Sequence, residues 1–536
     1  MKTVIGERFK SVFVASIASM VISYVLMLTD NIVAGQFVGE EAVAAMTLVS
    51  PMMILVFFLS YMVADGLAMM FSYAKGRSDQ LKANQLFSMG MICSVVLGVV
   101  LTFILIVFRS EILSLWKISP ELMSYAVEYY RGLMFISLPC ILNIYFYTIY
   151  VAEGEENICV KATAAMFVVN MILDIVLGYY IGIIGIGIAT TVGHLVSFLY
   201  HVPYLFSGRC RLRFAKYWNW KEFGQGIFYS WYHSMDTLCL ALLPIIFSEF
   251  VIYKFGEHEL IVVTVIVNML TLLIAIYTGI VDCLQPMVYQ YHAEKALHSV
   301  RKTMHLGITS TIGVTLVLIA FSFVFAEFLP SLFGVSREEQ LYSDCVSAVR
   351  IFMPFTLFLG VTLMLANYYI YIERLNLGAV IKALLLLILP SAGMFAGNYG
   401  LQFMWAGVGV SFIVALIINF LLTRRNVLLM DEKQYARQFS FDTESEPEKL
   451  TGLRAAMEKY LIRNNLPRII PALTEEIFTE YAMRGKKFQI EVTVIPADRL
   501  ILIFRENGEP QEPILNKMIE KSYMISGEEN KFVVIL

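Results

Sequence analysis

Twelve apolar runs leave this chain little choice of fold. They lie at roughly 9–35, 43–73, 85–108, 122–152, 158–180, 183–206, 226–252, 260–290, 303–327, 343–372, 377–396 and 402–424. Each is long enough to cross the ~30 Å of hydrocarbon in a bilayer. Inside hydrocarbon every backbone N–H and C=O must be paired within the chain, so such runs fold as helices packed side by side. The spans predict an all-α polytopic membrane protein of twelve transmembrane helices, the longer ones tilted or projecting from the bilayer. The first run is long enough to span and lacks a small-residue cleavage pattern, so no cleavable signal peptide is expected.

Charge orients the spans. With the N-terminus in the cytoplasm, nineteen Lys and Arg fall on inside segments and four (Arg109, Lys117, Lys254, Arg337) on outside loops, which predicts both termini inside. The inside set includes Lys75 and Lys382. Residues 1–425 carry 25 basic and 25 acidic side chains, and 426–536 carry 15 and 18. No basic excess points to nucleic acid as a partner. The seven cysteines stand singly, with no metal-ligand spacing and no disulfide framework, and no catalytic constellation appears in the membrane part.

The two sets of six runs repeat each other. Gly39-Glu40 and Gly256-Glu257 lie 217 positions apart, as do Asp65 and Asp282. Arg131 and Arg350 lie 219 apart, and G-I-G at 185–187 matches G-V-G at 407–409 at an offset of 222. Six spans per half give both halves one orientation, and parallel repeats place substrate between them. The expected organisation is a six-helix lobe over 1–206, a linker over 207–225, a second lobe over 226–425 and a small α/β domain over 426–536.

Polar residues inside the spans carry the functional argument. Asp30 is the only carboxylate of the first run. An ionised Asp at mid-bilayer costs roughly 2.5–3.5 kcal/mol on insertion scales, a cost removed by a proton, a cation or a wet cavity; the alternative is a helix-end Asp reaching the outer headgroups. Asn170 and Asp174 are four apart and share one face of helix five. Counted from the cytoplasmic side at 1.5 Å per residue, Asp30 and Asp174 both fall in the outer half and can meet. Two carboxylates in one low-dielectric site cannot both stay charged, so one takes a proton or a cation. Against this stand an external helix-end reading of Asp174 and an interhelical hydrogen-bonding reading of Asn170. Asp236 lies about ten residues into helix seven near His233, either lining a cavity or forming an Asp–His packing pair. Asp65 and Asp282 read as gate or cap residues near cytoplasmic helix ends. Arg131 and Arg350 read as locally paired or snorkelling side chains.

The motifs resemble a known family. The run D-N-I-V-A-G-Q-F-V-G from Asp30 to Gly39, and D-G-L-A-M-M-F-S-Y-A-K-G-R-S-D from Asp65 to Asp79, look like the opening of multidrug and toxic compound extrusion (MATE) transporters. So do N-M-I-L-D from Asn170 to Asp174 and G-I-G-I-A-T from Gly185 to Thr190. C-L-Q-P-M-V-Y-Q-Y from Cys283 is similar to a second-half motif of that family, with Cys283 and Tyr291 departing from it. The resemblance covers residues 1 to about 425. It implies a two-lobed efflux transporter that exports organic cations or amphiphiles by H⁺ or Na⁺ antiport, as a monomer in the cell inner (plasma) membrane and without a cofactor. It assigns Asp30, Asn170 and Asp174 to the coupling-cation site, with help from Thr190 on helix six and from Tyr129 or Tyr145 on helix four; some relatives carry an acidic residue on helix seven that joins the binding site, and Asp236 falls out of register with it. The expected mechanism is competition, ion and cargo being unable to neutralise the same first-lobe carboxylates together.

Past Arg425 the composition turns polar. A strand near Phe439, an amphipathic helix after Glu448, a second helix at 470–484 and strands at 488–495, 500–504 and 531–536 predict an α/β domain. It resembles the ATPase fold of anti-sigma-factor kinases, but Glu480 and Glu506 replace the residues that would hold Mg²⁺ and read adenine. Nucleotide binding is therefore not expected, and the domain reads as a degenerate regulatory or docking unit with a cytosolic protein as candidate partner. Two other functions fit the layout. One is a membrane-embedded sensor reporting through the tail. The other is a lipid-linked oligosaccharide flippase, which would need Arg131 and Arg350 in the central cleft.

Overall fold

The computed structural model describes all residues except 1–2, 78, 115–119, 209, 257–258, 329–339, 425, 445–446, 465–488, 497–499, 508–520, 525–528 and 536. Helix coincides with every one of the apolar runs. Helices one to three are Val4–Phe37, Glu40–Gly76 and Gln80–Val107, and helix four is Pro120–Leu133 continued by Ser137–Glu153. Helices five and six are Glu156–Ile181 and Ile183–Leu205. Helix seven is Trp220–His233 continued by Met235–Lys254, and helices eight and nine are Leu260–Ala293 and Leu297–Phe325. Helix ten runs from Gln340 to Tyr371, helix eleven from Leu375 to Tyr399 in several pieces, and helix twelve over Leu401–Leu422. Among the described residues nine helices are long and apolar enough to cross a membrane, or ten when helix four, bent by 54°, counts as one span. Lipid-facing surface is plain on helix three, where Val95, Val96, Val99, Val100 and Phe103 stand exposed.

Local chemistry sets the ends and breaks. Thr3 caps helix one by accepting from the Gly6 N–H, and Asp79 caps helix three by accepting from the Lys82 N–H at 3.0 Å. Gly154 takes a left-handed φ of 89° to end helix four. Helix eleven is regular only to Ala383. Residues Leu384–Ile388 form a π turn that ends two residues before Pro390, which has no N–H to give to the preceding turn.

The tail forms a five-stranded sheet, β1 Phe439–Glu444, β2 Gln489–Pro496, β3 Leu500–Asn507, β4 Lys521–Met524 and β5 Glu529–Ile535, in the order β1-β2-β3-β5-β4 with every pair antiparallel. The helix Pro447–Arg463 lays the stripe Leu453, Met457 and Leu461 inward, and its Tyr460 packs on Phe439 at 5.0 Å. The expected second helix at 470–484, with Glu480, lies outside the described residues.

The sheet docks at the end of the bundle where helix one begins, here termed the tail face. At this face the two lobes share one apolar cluster, in which Ile5, Phe9 and Val12 join Leu284, Val288, Tyr289 and Tyr371. Arg8 Nη1 donates to Gln290 Oε1 at 2.8 Å, and the Tyr73 hydroxyl donates to the Tyr371 carbonyl at 2.6 Å. Further in, helices two and seven touch backbone to backbone: a Cβ at Gly66 would sit 2.0 Å from the Gly226 carbonyl oxygen.

Candidate functional site

Two polar clusters stand out among the described residues of the membrane bundle. The first joins helices one, five and six. Helix five presents Asn170 and Asp174 one turn apart on its buried face, and both are fully enclosed. In the amide orientation that satisfies its neighbours, Asn170 donates to Asp30 Oδ1 at 3.1 Å and to Asp174 Oδ2 at 2.8 Å, and accepts from the Thr190 backbone N–H at 3.1 Å. Asp30, only 8% exposed, is within hydrogen-bond reach of both the Asp174 carboxyl and the Thr190 hydroxyl. Two carboxyl groups joined in this way need a proton or a cation between them. Tyr129 is buried within electrostatic range of both acids. Tyr145 is not part of the cluster: its hydroxyl donates to the Phe87 carbonyl at 2.6 Å and its ring fills the space left by Gly90, so it ties helix four to helix three.

The second cluster lines a cavity of about 440 Å³ between the lobes. Helices one, two and four contribute Met20, Tyr61, Asp65 and Tyr147 to its wall, and helices seven and eight contribute His233, Ser234, Asp236 and Asp282. Asp65 and Asp282 therefore face the cavity rather than capping helix ends. Helices two and eight each continue roughly three turns past these residues, to Gly76 and Ala293, which carries the acids inward. Asp236 lines the cavity and forms an ion pair with Lys382. Lys382 Nζ lies 3.3 Å from Asp236 Oδ2 and donates to the His233 carbonyl at 2.6 Å, while His233 Nε2 faces Asp65 Oδ2 at 3.6 Å.

Lys382 was missed by the count that put it among loop cations. Its side chain is fully buried on helix eleven, just before the π turn. The signal was present in the sequence, because the apolar run starting at 377 already encloses it. Lys75 departs from the loop assignment in the same way, closing a buried pair with Glu153 at 2.6 Å.

None of Asp30, Asn170, Asp174 and Thr190 belongs to the cavity wall. The acid cluster and this cavity wall share none of these side chains, and helix one, with Met20 on the cavity and Asp30 in the cluster, connects them. Arg131 is exposed, and Arg350, 45% exposed, pairs with Glu327 at 3.3 Å, so neither arginine enters the cavity.

Comparison with known proteins supports the same architecture. The MatE family model matches residues 15–176 and 234–390. The chain is 25% identical over 217 residues to the probable multidrug resistance protein YoeA of Bacillus subtilis (strain 168), covering 39% of this chain and 47% of that protein. It is 22% identical over 192 residues to the multidrug export protein MepA of Staphylococcus haemolyticus, covering 34% and 42%. The match thus spans under half the length of both relatives. Among solved structures, a MATE in complex with MaL6 superposes with a TM-score of 0.72 at 21% identity over 78% of this chain and 96% of that one. A MOP superfamily transporter from Pyrococcus furiosus gives 0.73 at 20% identity, over 79% and 96%.

Proposed function

This chain belongs to the MatE family, and from that premise we propose that it is a secondary active efflux transporter, exporting cationic or amphiphilic compounds in exchange for H⁺ or Na⁺. The observation that carries the reading is the buried contact of Asp30 with Asp174 around Asn170, an acid pair whose described partners include no basic side chain. Intramembrane acids of this kind mark ion pathways. The multidrug names of the two bacterial relatives support a drug-like cargo.

Ion and cargo occupy different places in this reading. The ion or proton binds at Asp30 and Asp174. The cargo sits in the cavity, where Asp65 and Asp282 face a positive group and Tyr61 and Tyr147 offer aromatic faces to it. Asp236 is already neutralised by Lys382. Loading the acid pair shifts helix one, and that shift changes the cavity; the bias it creates is bounded by the ion's difference in affinity between the two lobe arrangements. The tail face is the cytoplasmic one, as the excess of Lys and Arg on that side supports. The flippase alternative loses its support with the two arginines outside the cavity.

The test is exchange in proteoliposomes, with dye efflux driven separately by a pH gradient and by a Na⁺ gradient. Asp174→Asn is expected to lower gradient-driven efflux by at least about tenfold, a modest loss for an essential proton-transfer group. Parent-rate efflux from both Asp30→Asn and Asp174→Asn would remove the engine from this reading.

A further inference from the structure

The tail sheet carries a row of charges that is unfavourable by itself. Glu491 of β2, Arg505 of β3 and Lys531 of β5 stand directly opposite one another across the sheet. Facing cross-strand pairs of like charge destabilise a sheet, yet Arg505 and Lys531 are adjacent and almost wholly buried. Asp442 of β1 continues the row opposite Glu491, so the two acids lie at one end and the two bases at the other, and the carboxylate that meets Lys531 comes from the membrane bundle. Glu294, the residue that ends helix eight, accepts from Arg505 Nη2 and from Lys531 Nζ, the latter at 2.7 Å. Arg505 Nη1 also donates to Glu491 Oε2 at 2.9 Å and to the Ser299 hydroxyl of helix nine at 3.0 Å, and its guanidinium lies 4.6 Å above the Tyr291 ring. These groups all belong to the second lobe or to the sheet. Lys531 crosses over to the first lobe, donating to the Gly76 carbonyl at the end of helix two at 2.8 Å.

We infer that the C-terminal sheet is a clamp holding the two lobes together at the tail face, and that the bundle opens there only after Lys531 releases the Gly76 carbonyl. The geometry around the row supports this. Gln438 brackets the turn between helices eight and nine, accepting from the Leu297 N–H at 2.9 Å and donating to the Lys295 carbonyl at 2.7 Å. Lys302 of helix nine pairs with Asp442 of β1, and His298 stacks on Tyr435 at 4.0 Å. The sheet is thus fixed firmly to the second lobe. Toward the first lobe it lays β2 and β3 beside helix one and extends Lys531 to helix two. Breaking the Lys531 bond does not strand a charge, because Glu294 keeps Arg505.

Cys283 reports on the seam beneath the clamp: it is buried, with its thiol 3.6 Å from the Phe9 carbonyl of the opposite lobe. Full-length protein is labelled with a water-soluble maleimide, and the rate at each cysteine is read by mass spectrometry. Lys531→Met is expected to speed labelling of Cys283 by about tenfold, the scale of one charge-assisted hydrogen bond, while Cys93 and Cys345 keep their parent rates. Lys302→Asp, at a part-exposed position where folding is not at risk, sets two carboxylates face to face and is expected to move Cys283 the same way by less. Parent-rate labelling of Cys283 in both variants overturns the clamp, as does a rise shared equally by Cys93 and Cys345. The clamp matters for transport only if the alternating-access reading above holds. Labelling reads the opening itself, so a failure of exchange and a failure of the clamp appear in different measurements.

Discussion

At the scale of single residues, Asn170 and Lys382 each hold a buried or cavity-lining carboxylate. Asn170 is the shared donor of the first-lobe acid pair, and Asn170→Ala leaves two carboxyl groups without it. The expected loss is about 1–3 kcal/mol of stability, read as a lower melting temperature of the purified protein. Lys382 and Asp236 make a sharper case. Replacing Lys382 by Met removes the buried cation beside Asp236, a change expected to cost about 3–5 kcal/mol, whereas Lys382→Met with Asp236→Asn removes both charges and recovers most of it. A thermal-unfolding double-mutant cycle measures the difference; equal losses in the single and double variants would show that the two side chains do not act as a pair. The acid pair was legible in the sequence, because Asp30, Asn170 and Asp174 interrupt apolar runs at matching depths. The Lys382–Asp236 pair was not, since neither residue has the other within helical spacing and only the packing of helix eleven on helix seven brings them together.

At the scale of elements, hydrophobic length placed the helices well and their interior breaks poorly. The run at 122–152 reads as one span, yet the chain bends by 54° between Leu133 and Ser137. The run at 377–396 also hides the π turn, because Leu384–Ile388 is uniformly apolar and only Pro390 hints at a disturbed ladder. Helix length was underestimated at the tail face: charged residues such as Lys75 looked like loop, whereas a buried carboxylate from helix four lets helix two continue past the apolar stretch. Close helix approach is encoded by single glycines. Gly66→Leu forces a side chain into the Gly226 backbone and is expected to destabilise by about 1–3 kcal/mol through overpacking, with Gly224→Leu, which has open space around it, near neutral. Thermal scanning of the two variants compares them directly.

At the scale of the whole molecule, the internal repeat predicted two lobes, and the structure joins them at the face where the tail docks. The docking itself was not legible, because Glu294, Arg505 and Lys531 are scattered over 237 positions of sequence and each alone reads as a surface charge. Its dependence on pH follows from Glu294. Burial alone would raise this carboxyl, but Arg505 and Lys531 outweigh burial and hold it below the usual glutamate range. A carboxyl lowered in the folded state stabilises docking fully above its ordinary value of 4.5, and that contribution is lost as pH falls through the lower folded value. Labelling of Cys283 carried out at acid pH with a pyridyl disulfide, which still reacts with thiols there, is expected to speed up only as pH falls through that lower range. The backbone contact of Gly66 with Gly226 has its own mechanical meaning. With no side chain between them, these two points would serve as a fulcrum if helix two tilts, with about 15 Å of helix on the Gly76 side against about 39 Å on the Glu40 side at 1.5 Å per residue. Unequal lever arms would make such a tilt asymmetric: parting the short end by a little would swing the long end through more than twice the distance.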